Sequence, residues 1–95
     1  MEFAAFERSL ADAAPPAGAS LAVQALWWGG RGDWDRAHDC AQRGEGDAAC
    51  DWVHAWLHRQ EGDEGNARYW YGRARQAPAS GAPEAEWRSI AASLL

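Results

Sequence analysis

The chain has 95 residues, fourteen acidic and nine basic, for a formal charge of −5. That length supports one domain with one core, and 47% apolar residues keep it out of the disordered regime. All the positive charge is arginine, and the acidic balance argues against a phosphate-backbone binder, so no nucleic-acid partner is expected.

Phe3, Phe6, Leu10 and Ala14 fall on one stripe at helical spacing, which predicts a first amphipathic helix over residues 2–14. This segment lacks the basic start and apolar block of a signal peptide. No later run reaches membrane-spanning length, so no membrane partner is expected and the cytoplasm is the expected compartment. Pro15-Pro16 and Gly18 stop the first helix. Ser20 is placed to cap a second, LAVQALWW, ended by Gly29, Gly30 and Gly32. Asp33 caps a third over residues 34–43, with a narrow apolar face of Trp34, Ala37, Cys40 and Ala41. Asp47 caps a fourth that runs to Glu61. Gly62-Asp63 then ends one helix and caps a fifth over residues 64–76. After the loop APASGAP, Pro83 opens a sixth over residues 83–94, and Glu84 and Glu86 complement its dipole. Its stripe is Trp87, Ile90, Ala91 and Leu94. No segment alternates with period two, so the expected class is all-α with about six helices. Two cysteines, Cys40 and Cys50, are too few for a disulfide framework and fit as small buried hydrophobes.

A shift of thirty residues aligns two halves. Gly32-Asp33 falls on Gly62-Asp63, Val23 on Val53, Ala25 on Ala55, Leu26 on Trp56 and Ala37 on Ala67. Small residues where helices cross let backbones approach, so the coincident alanines fit two related hairpins.

GDWDRAHDCAQR and GDEGNARYWYGRARQAP resemble the turn and second helix of a tetratricopeptide repeat. ARYWYGRA is also similar to the second helix of Sel-like repeats. The resemblance covers about residues 19–78 and rests on Gly32, Asp33, Ala37, Gly62, Asp63, Ala67, Tyr71 and Ala74, with Pro78 ending the second unit. The spacing is shorter than the ~34 residues usual for the class. Ala41 and Gly44 depart from the pattern. The resemblance implies two stacked hairpins, flanked by capping helices at about 2–14 and 83–94, in a single domain spanning 1–95. It also implies a non-catalytic module that binds a partner protein or peptide in a groove lined by first helices. The matching positions are Ala22, Leu26, Gly29 and Gly30 in the first unit. In the second they are Ala49, Trp52, Trp56, Arg59 and Gln60. Either a monomer with both ends covered or a homodimer stacked through one end is consistent with two units.

Seven tryptophans are many for this length. Trp28, Trp34, Trp70 and Trp87 are expected to fill the core. Trp52 and Trp56, one turn apart with Arg59 beside them, have the composition of an interface hot spot, and one exposed patch is the expectation. The other reading packs both rings on the N-terminal helices.

His54 and His58 stand at i and i+4 on one face, with Glu61 in the same arc. Two histidines plus a carboxylate can hold zinc, or form a polar pocket for a small ligand. The alternative function is therefore a small-molecule or metal-binding domain, with or without hydrolytic activity, centred on His54 and His58, with Glu61 completing the polar pocket. Yet HAWLH lacks the glutamate of the His-Glu-x-x-His pattern. Cys50 lies one turn before His54 as a thiolate candidate, and beyond these His38 and Cys40 are the only other histidine or cysteine candidates. The expectation is no metal, no cofactor and no catalytic residue. No serine-histidine-aspartate order, phosphate-binding loop or dinucleotide fingerprint occurs.

Overall fold

Two turns of the same chemistry set the architecture. Gly32 and Gly62 take left-handed backbone angles, φ 82° and 89°, which a residue without Cβ adopts freely. The following aspartate N–H groups donate back to the outgoing helices, Asp33 to Trp28 O and Asp63 to His58 O, both at 2.9 Å. Their carboxylates then accept from Arg36 N at 3.1 Å and Asn66 N at 3.2 Å, capping the next helix. Each Gly-Asp pair thus closes one helix and opens another.

A computed structural model describes residues 1–95 as six helices and no strand. They are α1 (Phe3–Ser9), α2 (Leu21–Gly30), α3 (Trp34–Arg43), α4 (Ala48–Gln60), α5 (Glu64–Ala74) and α6 (Pro83–Leu94). The chain is all-α, with hairpins α2–α3 and α4–α5 flanked by α1 and α6. The crossing alanines are buried as expected: Ala25, Ala37, Ala55 and Ala67 lie at 0–3% exposure. The main core joins α1, α2, α3, α4 and α6 around Phe6, Leu26, Trp27, Trp56, Leu57, Trp87 and Ile90. A smaller cluster, Ala55, Ala67, Trp70 and Tyr71, lies between α4 and α5. Both cysteines are free and buried.

Three boundaries differ from the sequence reading by two residues or more. α1 stops at Ser9, not Ala14. Ser9 turns its hydroxyl back onto Phe6 O at 2.6 Å and accepts the Trp27 indole N–H at 3.1 Å. Leu10, Ala11 and Asp12 then bond three residues back, the tighter pattern of a closing turn. α2 continues through Gly29 and Gly30 before it ends. These glycines are packing positions: a Cβ on Gly29 would meet the Trp56 ring at 2.5 Å, and one on Gly30 the Trp87 ring at 2.8 Å. α5 ends at Ala74 because Arg75 takes a left-handed φ of 59°.

Candidate functional site

α4 carries both groups of candidate residues on opposite sides, as 3.6 residues per turn requires. On one side are Trp52, Trp56, Arg59 and Gln60, facing α2 and α6. On the other are His54, His58 and, just past the helix end, Glu61.

The first side is a groove already filled. α6 lies across α2 and α4, and two indoles fasten it. Trp87 donates its N–H to Leu26 O at 2.8 Å, and Trp56 donates to Pro83 O at 2.8 Å. Phe3 and Phe6 pack on the Trp87 ring from α1. Arg59 pairs with Glu86 at 3.0 Å and also donates to Gly81 O. The second Glu86 oxygen accepts the Tyr71 hydroxyl at 2.6 Å. Burial, then that carboxylate, push the Tyr71 phenol above its ordinary range.

The expected exposed patch of Trp52, Trp56 and Arg59 is therefore not formed. Trp56 is 2% exposed and Leu26 is 0% exposed, so both are core. Trp52 is partly buried, Arg59 is committed to Glu86, and of the predicted groove residues only Gly30 and Gln60 are exposed. The rings are covered because the sixth helix brings its own apolar stripe to the same face. One end stays open. A cleft of about 290 Å³ is lined by Gly29, Gly30, Trp56, Gln60 and Trp87, with Glu7, Glu84 and Arg88 among its polar residues. Arg88 reaches Glu7 at 3.3 Å beside this cleft.

Glu86 was read from sequence as a dipole partner, yet it is buried and joins Arg59 of α4 to Tyr71 of α5. The available signal was an acid directly beside Trp87, on the stripe that had to face the core. Trp27, fully buried, was also missed, because its neighbour Trp28 competes for the same assignment. Of the four tryptophans expected in the core, Trp70 and Trp87 are buried, while Trp28 and Trp34 are only partly so.

The second side is a histidine cluster. Ring centroids of His54 and His58 lie 4.9 Å apart, and His38 of α3 joins them at 4.7 Å and 5.4 Å. Trp70 stacks on His54 at 3.8 Å, and Trp34 stacks on His38 at 4.8 Å. Trp34 is held there by its N–H on Leu57 O at 2.8 Å. Glu61 meets His58 Nδ1 at 2.8 Å. His54 Nδ1 is buried with no hydrogen-bond partner, and burial with the neighbouring imidazoles drives its pKa down to about 3. Burial and His58 also lower His38, against opposing pulls from Glu61, Asp35 and Asp39. Tyr69 and Tyr71, the two hydroxyls on the neighbouring α5, do not serve the imidazoles. Tyr69 is 55% exposed and accepts from Arg73, and Tyr71 serves Glu86. None of the four principal clefts is lined by a histidine.

No helix is long and apolar enough to cross a membrane. Comparison with protein-family models, with curated proteins and with solved structures finds no match.

Proposed function

We propose that the chain is a non-catalytic interaction module of tetratricopeptide-like type that binds a partner peptide at the open end of its α2–α4 groove. The observation that carries the reading is α6 itself. The face built by the two first helices takes a helical segment in this chain, gripping it through two tryptophan N–H groups and the Arg59–Glu86 pair. What is left for a partner is the cleft beside Gln60, with the Trp56 and Trp87 rings as apolar lining. Glu84 is exposed there, and Glu7 beside it is already paired with Arg88. With a chain charge of −5, this chemistry favours an apolar anchor residue flanked by Arg or Lys.

The test is a nuclear magnetic resonance titration with short peptides carrying one aromatic or leucine anchor beside one or two arginines. Expected are shifts of the Trp56 and Trp87 indole N–H signals and of Gln60, reduced in a Glu84→Gln variant that keeps its helical circular dichroism. No shifts with any such peptide, or shifts confined to α5, would reject the reading.

The hydrolytic alternative centred on His54 and His58 has no support in the geometry. The imidazoles are enclosed by Trp34 and Trp70, and none of the principal clefts brings a substrate beside them.

A further inference from the structure

The chain has three histidines in all, and the fold brings every one of them into a single cluster. A ring nitrogen from each of His38, His54 and His58 lies within 4.8 Å of the others. They come from two helices, with His38 on α3 sixteen residues before His54, the first of the two on α4. Packing alone gives no reason for polar rings to gather here. Leucine or phenylalanine would fill the same space without a desolvated nitrogen, and His54 keeps one with no partner at 1% exposure.

We propose that His38, His54 and His58 form a binding site for one divalent transition-metal ion, zinc in the ordinary case, with Glu61 as the residue that positions His58. Three neutral imidazoles are a ligand set suited to zinc, and to copper or nickel by the same donor chemistry. Zinc–nitrogen bonds of ~2.0–2.1 Å put tetrahedral ligand atoms roughly 3.3 Å apart. Side-chain rotations of the three imidazoles would have to bring the present spacing of up to 4.8 Å to that distance. Glu61 engages His58 Nδ1 at 2.8 Å, which leaves Nε2 as the free nitrogen. This is the carboxylate–histidine arrangement that orients a metal ligand and raises its basicity. Asp35, Asp39 and Glu61 add negative charge around His38, which favours a cation. His38 is the partly buried member, so α3 is the side from which an ion enters and on which water completes its coordination.

The absence of a His-Glu-x-x-His pattern argues only against the metalloprotease arrangement on one helix. The third ligand here comes from the neighbouring hairpin. The proposal is independent of peptide binding in the groove, which lies on the opposite side of α4.

The experiment uses the full chain without a histidine tag, stripped with chelator and titrated with Zn²⁺ and, separately, Co²⁺. Expected is one ion per chain, a rise in melting temperature with Zn²⁺, and visible ligand-field bands of tetrahedral or five-coordinate Co²⁺. His38→Ala, at the most accessible ligand, should abolish saturable binding while the circular dichroism stays helical. Glu61→Gln should weaken binding roughly 10–100-fold and leave the Co²⁺ bands in place. His58→Gln serves as a second ligand variant if His38→Ala fails to fold. No saturable binding by the wild-type chain overturns the site. So does binding that folded His38→Ala or His58→Gln retains at full strength, or a thiolate charge-transfer band that moves the ion to cysteine.

Discussion

The hairpins α2–α3 and α4–α5 share a turn and differ in what their first helices carry. At the thirty-residue shift, Gln24 and Trp28 of α2 stand where His54 and His58 stand in α4. Gln24 spends its amide on Ala19 O at 2.8 Å, and Trp28 lies under the Arg36 guanidinium at 4.7 Å. Both are solvent-edge solutions to partial burial. α4 packs against α3 on one side and α5 on the other, so its equivalent positions are enclosed, and there the chain places histidines. The turn, the caps and the crossing alanines are common to both hairpins because the geometry of the hairpin needs them. The flanking positions diverge because their surroundings do.

The comparison is broken most severely at the pair Leu26 and Trp56. Both should behave as core: Trp56→Ala is expected to cost about 3–5 kcal/mol and Leu26→Ala about 2–5 kcal/mol in chemical denaturation. A Trp56→Ala loss under about 1 kcal/mol would instead mean that α6 does not cover that ring in solution. A smaller effect tests whether the turns are equivalent. Asp33→Ala and Asp63→Ala should each destabilise by ~0.5–2 kcal/mol, and by similar amounts. A large inequality would show that matching dihedral angles conceal unequal loads.

Helix number, helix class and both turns were legible because their causes are local. A cap lies within three residues of what it caps, and a stripe repeats every turn. α3 and α6 were read to their end residues for this reason. The end of α1 was not, since it depends on Ser9 meeting Trp27, eighteen residues away. The fate of the groove was not legible either. Nothing near Trp56 in sequence announces that Pro83 will accept its N–H. The histidine cluster was legible by two-thirds: His54 and His58 share a helix, but His38 reaches them only through the packing of α3 on α4.

A further difference between the hairpins, confined to alkaline pH, lies at the start of α4. Cys50 is 2% exposed, and burial first, then the Asp47 carboxylate, push its thiol from 9.0 up to about 12. A group whose folded pKa is raised contributes stability that is complete below the unfolded value and disappears as pH rises through the folded one. Stability should therefore fall between about pH 9 and 12, and Cys50→Ala should flatten that alkaline limb. An unaltered limb in the variant would assign the loss to other groups, the raised Tyr71 phenol first among them.

The Trp87–Leu26 hydrogen bond spans 61 residues, and this has a consequence during synthesis. Ribosomes add about 5–20 residues per second, so the Leu26 carbonyl waits roughly 3–12 seconds for its donor to be made. During that interval α2 and α4 can form their hairpins, since those contacts are local and quick, but the face shared by Leu26 and Trp56 has nothing to cover it. Until α6 is made, the apolar face that Leu26 and Trp56 share therefore lacks the helix that buries it. α6 is the segment that covers this face, with Pro83 O taking the Trp56 N–H.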